Sequence, residues 1–293
     1  MDRPNRSRQC RHYAYLMLLI ALFLGYFPAA AAADTVQIVT LNLYHDKDDW
    51  PSRRVQIVEK LKQLQPDVIA LQEVIQRESL INQAEWLAGQ LGYQWHFTST
   101  DPADKPQRYG NAVLTRHPIL GRGQKFLRPL DDSRTAAFLR IDLGGRTLNV
   151  YATHLHWTDG GGAIRVRQVA DLMEYIAATS EGLPSIVAGD FNSTADSPEL
   201  ALLRENFIDA YGGQHSDANS ITSSTLNLKY FAPKRIDHIF YQRGVFQPVL
   251  SEIILNQADA QGVWASDHYG MHAELRFDAA NSATRPGTDP HQP

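Results

Sequence analysis

Polar side chains of the kinds used in hydrolysis follow apolar, strand-like runs at several points of this 293-residue chain. Each lies at the carboxyl end of its run, where the loops beyond strands usually carry functional groups. Burying such side chains is costly unless they pair with one another or bind a ligand. The pattern predicts one shared polar pocket, built from Asn42, Glu73, His154, Asp190 and Asn192.

Two fragments near the carboxyl end add further candidates. In the run 235–241, period-two alternation puts His238 on the apolar face and Asp237 on the opposite face. We therefore expect His238 to pack in the core and Asp237 to reach the pocket. The adjacent Asp267 and His268 cannot share one face of a regular strand. A loop before the last strand is expected to present both of them.

The elements that must position these side chains have the pattern of a mixed α/β domain. Apolar runs of strand length alternate with amphipathic stretches, and Gly144-Gly145 predicts a tight hairpin turn, so part of the sheet is antiparallel. Strands are predicted at 36–43, 67–74, 111–116, 135–143, 147–155, 185–190, 235–241, 245–255 and 268–277. Helices are predicted at 52–64, 78–91, 163–178 and 197–204.

The two ends of the chain differ in composition from residues 34–277, which we interpret as one domain. Residues 1–33 combine basic residues, an apolar run and closing alanines, as in a secretory signal cleaved before Asp34. This predicts export to the periplasm or the medium. A retained transmembrane anchor is the alternative, because the run could just span a bilayer. Residues 278–293 are polar and contain proline and glycine, so we expect a disordered tail.

Charge and cysteine content argue against several classes of protein. Removal of residues 1–33 takes away four basic and one acidic side chain, so the net charge goes from −4 to −7. Such a chain lacks the global positive field of a general nucleic-acid coat protein. The only cysteine, Cys10, lies in the predicted signal, so we expect no disulfide, cysteine nucleophile or cysteine-based zinc site in the remainder.

Seven short motifs follow one another along the chain: Thr-Leu-Asn-Leu at 40–43, Leu-Gln-Glu-Val at 71–74, Gly-Asn-Ala-Val-Leu-Thr-Arg-His-Pro at 110–118, Thr-His-Leu at 153–155, Gly-Asp-Phe-Asn at 189–192, Arg-Ile-Asp at 235–237 and Ser-Asp-His at 266–268. In identity, order and spacing they resemble the endonuclease/exonuclease/phosphatase superfamily, the fold of pancreatic deoxyribonuclease. The resemblance implies a four-layer α/β sandwich, with two mixed β-sheets face to face and helices on both outer faces.

The resemblance also implies divalent-metal-dependent hydrolysis of a phosphoester. Glu73 matches the principal metal ligand, assisted by Asn42 and, across the pocket, by Asp267. Hard oxygen ligands of this kind suit Mg²⁺ or Mn²⁺.

The remaining matched residues are implied to handle the attacking water and the phosphate. Asp190 and Asn192 match the pair that orients the water, and His268 matches the final histidine, held by Asp237. His154 matches the second histidine, near the leaving group. Whether Asp190 or the Asp237 and His268 pair takes the proton stays open.

Other polar and aromatic residues have competing interpretations. His156 lies two residues after His154, but the remaining candidate ligands are oxygen donors, so we do not expect a His-x-His zinc site. Trp157, in a loop with three glycines, is either an aromatic platform for a base or lipid headgroup or a packing residue. The polar residues that follow Asn42 either shape the mouth of the pocket or form a solvated loop, and we favour the solvated loop: His45, Asp46, Asp48 and Asp49.

The sequence therefore predicts an exported Mg²⁺-dependent phosphodiesterase, with a slight preference for a nucleic-acid substrate, DNA or RNA. Four basic residues could form a rim that contacts phosphates: Lys105, Arg108, Arg128 and Arg134. Because one fold serves many substrates, a sphingomyelinase-like phospholipid-headgroup phosphodiesterase or a small-molecule phosphatase is the alternative. A non-catalytic binding protein on the same fold is the third hypothesis. No obligate protein partner is inferred, and a monomer is expected.

Overall fold

A computed structural model of the chain describes residues 33–278. The predicted signal, apart from Ala33, and the predicted tail, apart from Asp278, lie outside these residues. Within the described part of the chain, no helix is long and apolar enough to cross a membrane.

Residues 33–278 contain twelve strands and four α-helices. The strands are β1 (Thr35–Asn42), β2 (Val68–Gln76), β3 (Gln94–Ser99), β4 (Arg108–Thr115), β5 (Ile119–Phe126), β6 (Thr135–Asp142), β7 (Thr147–His154), β8 (Ser185–Asp190), β9 (Phe207–Asp209), β10 (Asp237–Gln242), β11 (Phe246–Ile254) and β12 (Gly270–Phe277). The helices are α1 (Trp50–Leu64), α2 (Gln83–Leu91), α3 (Gly162–Thr179) and α4 (Ala201–Asn206). Short 3₁₀ turns lie at Leu130–Asp132, Pro198–Leu200 and Ile221–Ser223.

The strands form two six-stranded sheets. The first has the order β11-β12-β1-β2-β4-β3, and the second has the order β5-β6-β7-β8-β10-β9. Each sheet is mixed, because β1 and β2 are parallel in the first, β7 and β8 are parallel in the second, and the other pairs are antiparallel. The predicted hairpin between β6 and β7 is confirmed, with φ of 66° at Gly144 and 91° at Gly145.

Three apolar clusters divide the domain into four layers. The central cluster joins the facing sides of the two sheets and includes Ile38, Leu139 and Val150. A second cluster packs α1 and α2 on the outer side of the first sheet. A third packs α3 on the outer side of the second sheet. The predicted α/β sandwich, with two mixed sheets face to face and helices on both outer faces, is confirmed.

Helix α2 begins later than the predicted start at residue 78. The side chain of Asn82 accepts hydrogen bonds from the backbone N–H groups of Ala84 and Glu85, which caps the helix. Before this cap, the backbones of Arg77 and Leu80 bond to each other in a tight turn. The apolar spacing of this segment therefore predicted the helix but placed its start five residues too early.

Three strands carry little hydropathy signal and were not predicted: β3, β5 and β9. Strand β5 is an edge strand in which half-buried and exposed positions alternate, with glycines at 121 and 123. Residues of this kind gain their strand conformation from pairing with β6 rather than from their own burial.

Candidate active site

An open cavity of about 740 Å³ lies at one end of the sandwich, where β1, β7 and β8 end and the loops before β10 and β12 approach. Six of the predicted site residues line it: Glu73, His154, Asp190, Asn192, Asp267 and His268. Asn42 and Asp237 are almost fully buried and bond to lining residues. The structure thus brings all eight predicted residues together.

Strand register places three of these residues side by side in the second sheet. His154 pairs with Asp190 across β7 and β8, and Asp190 pairs with Asp237 across β8 and β10. Gly189, with φ of 152°, makes the close approach possible, because a Cβ there would lie 2.0 Å from the carbonyl oxygen of Thr153. The glycine that precedes Asp190 in the motif is therefore needed for the geometry of the site.

A β-bulge brings Glu73 into the cavity. The register of β2 against β4 shifts between Leu71 and Val74, and Glu73 has φ of 54°. The preceding Gln72 is buried and donates a hydrogen bond from Nε2 to Oγ1 of Thr40 over 3.1 Å. Glu73 can therefore line the cavity while the strand continues on both sides of it.

The carboxyl group of Asp190 is the meeting point of the buried network. Its Oδ1 accepts a hydrogen bond from the backbone N–H of Asn192 over 2.9 Å, and its Oδ2 accepts one from Nδ2 of Asn42 over 3.1 Å. The same Oδ2 lies 3.5 Å from Nε2 of His154 and 3.8 Å from Nδ1 of His268. One amide and two imidazoles therefore converge on this oxygen atom.

Asp190 and His268 have strongly shifted pKa values. Burial, followed by the charge of Asp237, raises the pKa of Asp190 to about 7. Nδ1 of His268 lies 2.9 Å from Oδ2 of Asp237. Burial opposes the charged imidazole, but the carboxylates of Asp237, Asp190 and Asp267 outweigh it and raise the pKa of His268 to about 10. At neutral pH His268 is an imidazolium, and Asp190 can both hold and release a proton.

His154 is held in one neutral form. Nη1 of Arg134 donates a hydrogen bond to Nδ1 of His154 over 3.0 Å, and the hydroxyl of Tyr109 lies 3.2 Å from the same nitrogen. Burial and the charge of Arg134 lower the pKa of His154 well below its usual value. Because Nδ1 accepts, the proton lies on Nε2. His154 is therefore a hydrogen-bond donor toward Asp190 and the cavity.

Glu73 and Asp267 form the oxygen-rich part of the cavity. Oε2 of Glu73 lies 3.0 Å from Nε2 of His45. Burial lowers the pKa of His45, so this imidazole is neutral at pH 7 and leaves the charge of Glu73 uncompensated. Burial, with the nearby charge of Glu73, raises the pKa of Asp267 to about 6. Two carboxylates that repel each other in this way suit a hard divalent cation.

The prediction of a solvated loop after Asn42 is wrong for His45, which is half-buried, lines the cavity and contacts Glu73. Asp46 accepts hydrogen bonds from Arg77, and Asp49 caps α1 through the N–H of Ser52. Glu73 and Arg77 are distant in sequence from the residues they contact, and Ser52 belongs to the first turn of α1. Composition alone does not reveal such contacts, so it suggested a free loop.

His156 and His154 have different hydrogen-bond partners. Its Nδ1 lies 2.8 Å from Oδ1 of Asp132, and its Nε2 lies 2.8 Å from the hydroxyl of Thr158. Both ring nitrogens of His156 therefore have protein partners. The neighbouring Trp157 lines the cavity, and its side chain is 67% exposed rather than packed in the core.

Of the four residues predicted as a phosphate-contacting rim, only Arg134 lines the cavity. Lys105 pairs with Asp101, and Arg128 pairs with the buried Asp171. Arg108 lies beside another cavity. The cavity has further cations that the sequence reasoning did not identify, Lys47 and Lys234.

Arg53 fixes two loops of the site and was also missed. Its guanidinium is almost fully buried and donates to the carbonyl oxygens of Leu43 (2.8 Å), Lys47 (3.0 Å), His45 (3.1 Å) and Ala265 (2.9 Å). The loop that carries His45 and the loop that leads to Asp267 are thereby joined. An arginine on an amphipathic helix gives no sequence signal for such a role.

The chain is similar in sequence to two curated proteins that are named sphingomyelinase. The chain is 28% identical over 160 residues to a sphingomyelinase of Mycobacterium bovis, a match that covers 48% of this chain and only 30% of that protein. It is 24% identical over 305 residues to a putative neutral sphingomyelinase of Caenorhabditis elegans, covering 84% of this chain and 68% of that protein.

Two solved structures share the fold. The human Nocturnin catalytic domain with bound sulfate has a TM-score of 0.69 at 20% identity, covering 85% of this chain and 97% of that one. A humanised Danio rerio TDP2 has a TM-score of 0.70 at 18% identity, covering 83% of this chain and all of that one. The profile of the Endonuclease/Exonuclease/phosphatase family matches residues 39–268. The chain belongs to the endonuclease/exonuclease/phosphatase family.

Proposed function

We propose that the chain is an exported, Mg²⁺-dependent phosphodiesterase. One observation carries the proposal: a group able to exchange protons (Asp190, Asp237 and His268) and a pair of carboxylates suited to a divalent cation (Glu73 and Asp267) line or adjoin the same cavity. A phosphodiesterase needs both functions together. A protein that only binds phosphate needs neither the proton-exchanging group nor its shifted pKa values.

Glu73 and Asp267 are the residues that would hold the metal, with Asn42 as an additional oxygen donor. When bound there, Mg²⁺ or Mn²⁺ would neutralise charge on the phosphate and lower the pKa of an attacking water. The donor set fits, because it consists of oxygen atoms and carries negative charge that His45 does not compensate.

Asp190, Asp237 and His268 also offer one ligand atom each within 4.8 Å of one another. We place the metal at Glu73 rather than at this group, because His268 is positively charged at neutral pH and would repel a cation. The short contact between Nδ1 of His268 and Asp237 would also have to open.

The side chains divide the proton transfers between them. Asp190, with a pKa of about 7, accepts the proton of the attacking water. His268 is already protonated at neutral pH, so it serves as the acid and gives a proton to the leaving oxygen. Asp237 holds the ring through Nδ1, which leaves Nε2 for this transfer. His154 donates from Nε2 to an oxygen of the phosphate.

Exposed aromatic side chains at the cavity favour a phosphodiester with an apolar part, such as a sphingomyelin-type phospholipid. Trp157 and Phe231 line the cavity and are 67% and 46% exposed. Rings at such a position can dock against lipid. Relatives named sphingomyelinase support this substrate class. Nucleic acid is the second candidate, supported by Arg134, Lys47 and Lys234 in the same cavity.

The test is hydrolysis by the purified protein in Mg²⁺ and in EDTA. The panel consists of sphingomyelin vesicles, plasmid DNA, RNA and phosphorylated inositols. We expect Mg²⁺-dependent cleavage of sphingomyelin, with nucleic-acid cleavage as the outcome that selects the second candidate. Glu73→Gln should abolish turnover, whereas Glu252→Gln, which alters a glutamate that also pairs with a histidine but lies outside the cavity, should not. If folded protein hydrolyses none of these substrates, the result would contradict the proposal and favour the hypothesis of a non-catalytic binding protein.

Export has its own test. Amino-terminal sequencing of the protein recovered from the periplasm or medium should begin at Asp34. A chain that stays in the membrane with residues 1–33 intact would replace the cleaved signal with the anchor alternative.

A further inference from the structure

A second cavity, of about 390 Å³, lies beside the edge strands of both sheets. Five residues line it, three from β3, one from β4 and one from β5: Trp95, His96, Phe97, Arg108 and Arg122. None of them lines the candidate active site. Nε2 of His96 lies 2.9 Å from the carbonyl oxygen of Gly123, which ties β3 to β5 and fixes the shape of this edge cleft.

The edge cleft carries positive charge without an opposing carboxylate. Among residues 33–278, neither Arg108 nor Arg122 has an acidic group within 4.0 Å, although the chain as a whole is acidic. Nε of Arg108 is buried and has no hydrogen-bond partner in this part of the chain. A buried donor without an acceptor is costly. Because this nitrogen is closed to solvent, an anion in the edge cleft would contact the other nitrogens of the two guanidinium groups and balance their charge.

Aromatic rings form the rest of the lining. The guanidinium of Arg108 lies 4.9 Å from the centre of the Phe97 ring. Trp95 and Phe97 are half-buried: each packs in part against the apolar cluster on the outer side of the first sheet, and the remainder of each side chain is exposed. Flat apolar groups stack on such rings, and nucleic-acid bases do so whatever their identity. Guanidinium groups bind phosphate oxygens through charge-assisted hydrogen bonds.

We propose that the edge cleft binds a nucleoside phosphate, with its phosphate at Arg108 and Arg122 and its base against Trp95 and Phe97. A simple anion would contact only the guanidinium groups, and an apolar ligand would contact only the exposed parts of the rings. The proposal does not depend on hydrolysis in the other cavity. The two sites are nevertheless close, because Arg108 is followed by Tyr109, whose hydroxyl contacts His154.

Binding to the full chain in EDTA tests the proposal, with isothermal titration calorimetry as the readout. The probes are 5′-AMP, adenosine, ribose 5-phosphate and a pentaadenylate. We expect 5′-AMP to bind at least about 10-fold more tightly than adenosine or ribose 5-phosphate. Tighter binding of the pentaadenylate would identify the source as a nucleic-acid strand, and equal binding would identify a free nucleotide.

Arginine variants locate the binding. Arg108→Met and Arg122→Ala should each weaken 5′-AMP binding at least about 10-fold, because a hydrogen bond to a charged group is lost. The matched control is Arg146→Ala, since Arg146 also lies over a phenylalanine ring, that of Phe277, at 4.2 Å. Arg122 is exposed, so its variant remains informative if Arg108→Met does not fold.

Three results would overturn the proposal: no binding of 5′-AMP by folded protein, equal binding of ribose 5-phosphate, or binding that neither variant weakens. The hydrolysis panel is independent of all three. The experiments therefore separate the two proposals, nucleotide binding in the edge cleft and hydrolysis in the other cavity. Glu73→Gln should stop turnover and leave 5′-AMP binding unchanged.

Discussion

Arg134, directly before β6, donates a hydrogen bond over 3.0 Å to Nδ1 of His154, the last residue of β7 and 20 positions further along the chain. Nη1 of Arg134 also donates to the hydroxyl of Tyr109 over 2.9 Å. A positive charge beside this nitrogen keeps His154 neutral and keeps its proton on Nε2. The histidine is fixed as a donor rather than as a base.

Replacement of Arg134 by Met should release this constraint on His154. We expect kcat to fall by about 10- to 100-fold, since residues that orient a reacting group have effects of this size. Nitrogen NMR of His154 should change from one tautomer to a mixture. Arg134→Lys should recover part of the rate, and Arg116→Met, which removes an arginine outside the cavity, should leave the rate unchanged. A single unchanged tautomer in Arg134→Met would contradict this role.

Replacement of His268 by Gln removes the proposed acid. We expect turnover to fall by about 10²- to 10⁴-fold. The matched control is His117→Gln, which alters a histidine paired with Asp67 at 2.7 Å outside the cavity. Because leaving-group protonation is lost, the variant should cleave substrates with an acidic leaving group, such as p-nitrophenol, with a smaller defect. An equal defect on both substrate types would rule out the role as acid.

The stability of the protein should depend on pH through His268. Its pKa is raised in the folded state from 6.5 to about 10, so the folded chain keeps a proton that the unfolded chain loses. The stabilisation is therefore fully present below pH 6.5 and is lost as the pH rises through about 10. Urea unfolding in EDTA should show a difference between wild type and His268→Gln that shrinks over this window. A difference that grows with pH would have the wrong sign.

Asp190 should limit stability while supporting activity. Its pKa is raised by burial and by Asp237 from 3.8 to about 7, so the ionised carboxyl group destabilises the folded state by an amount that grows as the pH rises from 3.8 to about 7. Asp190→Asn should therefore be inactive, yet more resistant to urea than wild type at pH 8 in EDTA. At pH 5, where the carboxyl group is protonated in the folded chain, the two proteins should differ less. An active Asp190→Asn variant would remove Asp190 as the base.

Arg53→Met should destabilise the chain without touching the cavity directly. It leaves the buried carbonyl oxygens of Leu43 and Ala265 without their donor, and each such loss costs about 1–3 kcal/mol. We expect the free energy of unfolding to fall by about 3 kcal/mol. Val55→Ala, on the exposed side of the same helix, is the control and should change it little. A neutral result for Arg53→Met would show that the two loops are held together by other contacts.

The sequence predicted the ends of the strands well, because alternation is a local property. In β10 it separated Asp237 from His238 correctly: Asp237 contacts His268, whereas His238 is buried beside Phe191 and Phe240. The motif Gly-Asp-Phe-Asn at 189–192 likewise indicated where β8 ends. These features need only the residue types on each side of one strand.

The partners of the site residues could not be predicted in the same way. His45 and Glu73 are 28 positions apart and meet only because a bulge turns Glu73 toward the first loop. Arg53 and Ala265 are separated by 212 positions. Such contacts depend on sheet order and loop packing, which local patterns do not contain. The pKa values that distinguish Asp190 from His268 depend on those same contacts.

The most direct measurement of the central claim is the rate of phosphodiester hydrolysis by the purified wild-type chain at pH 7.5, with Mg²⁺ and with EDTA, beside Asp190→Asn and His268→Gln. The account predicts hydrolysis that requires the metal and is lost in both folded variants. Hydrolysis that persists in EDTA, or that survives either substitution unchanged, would contradict it.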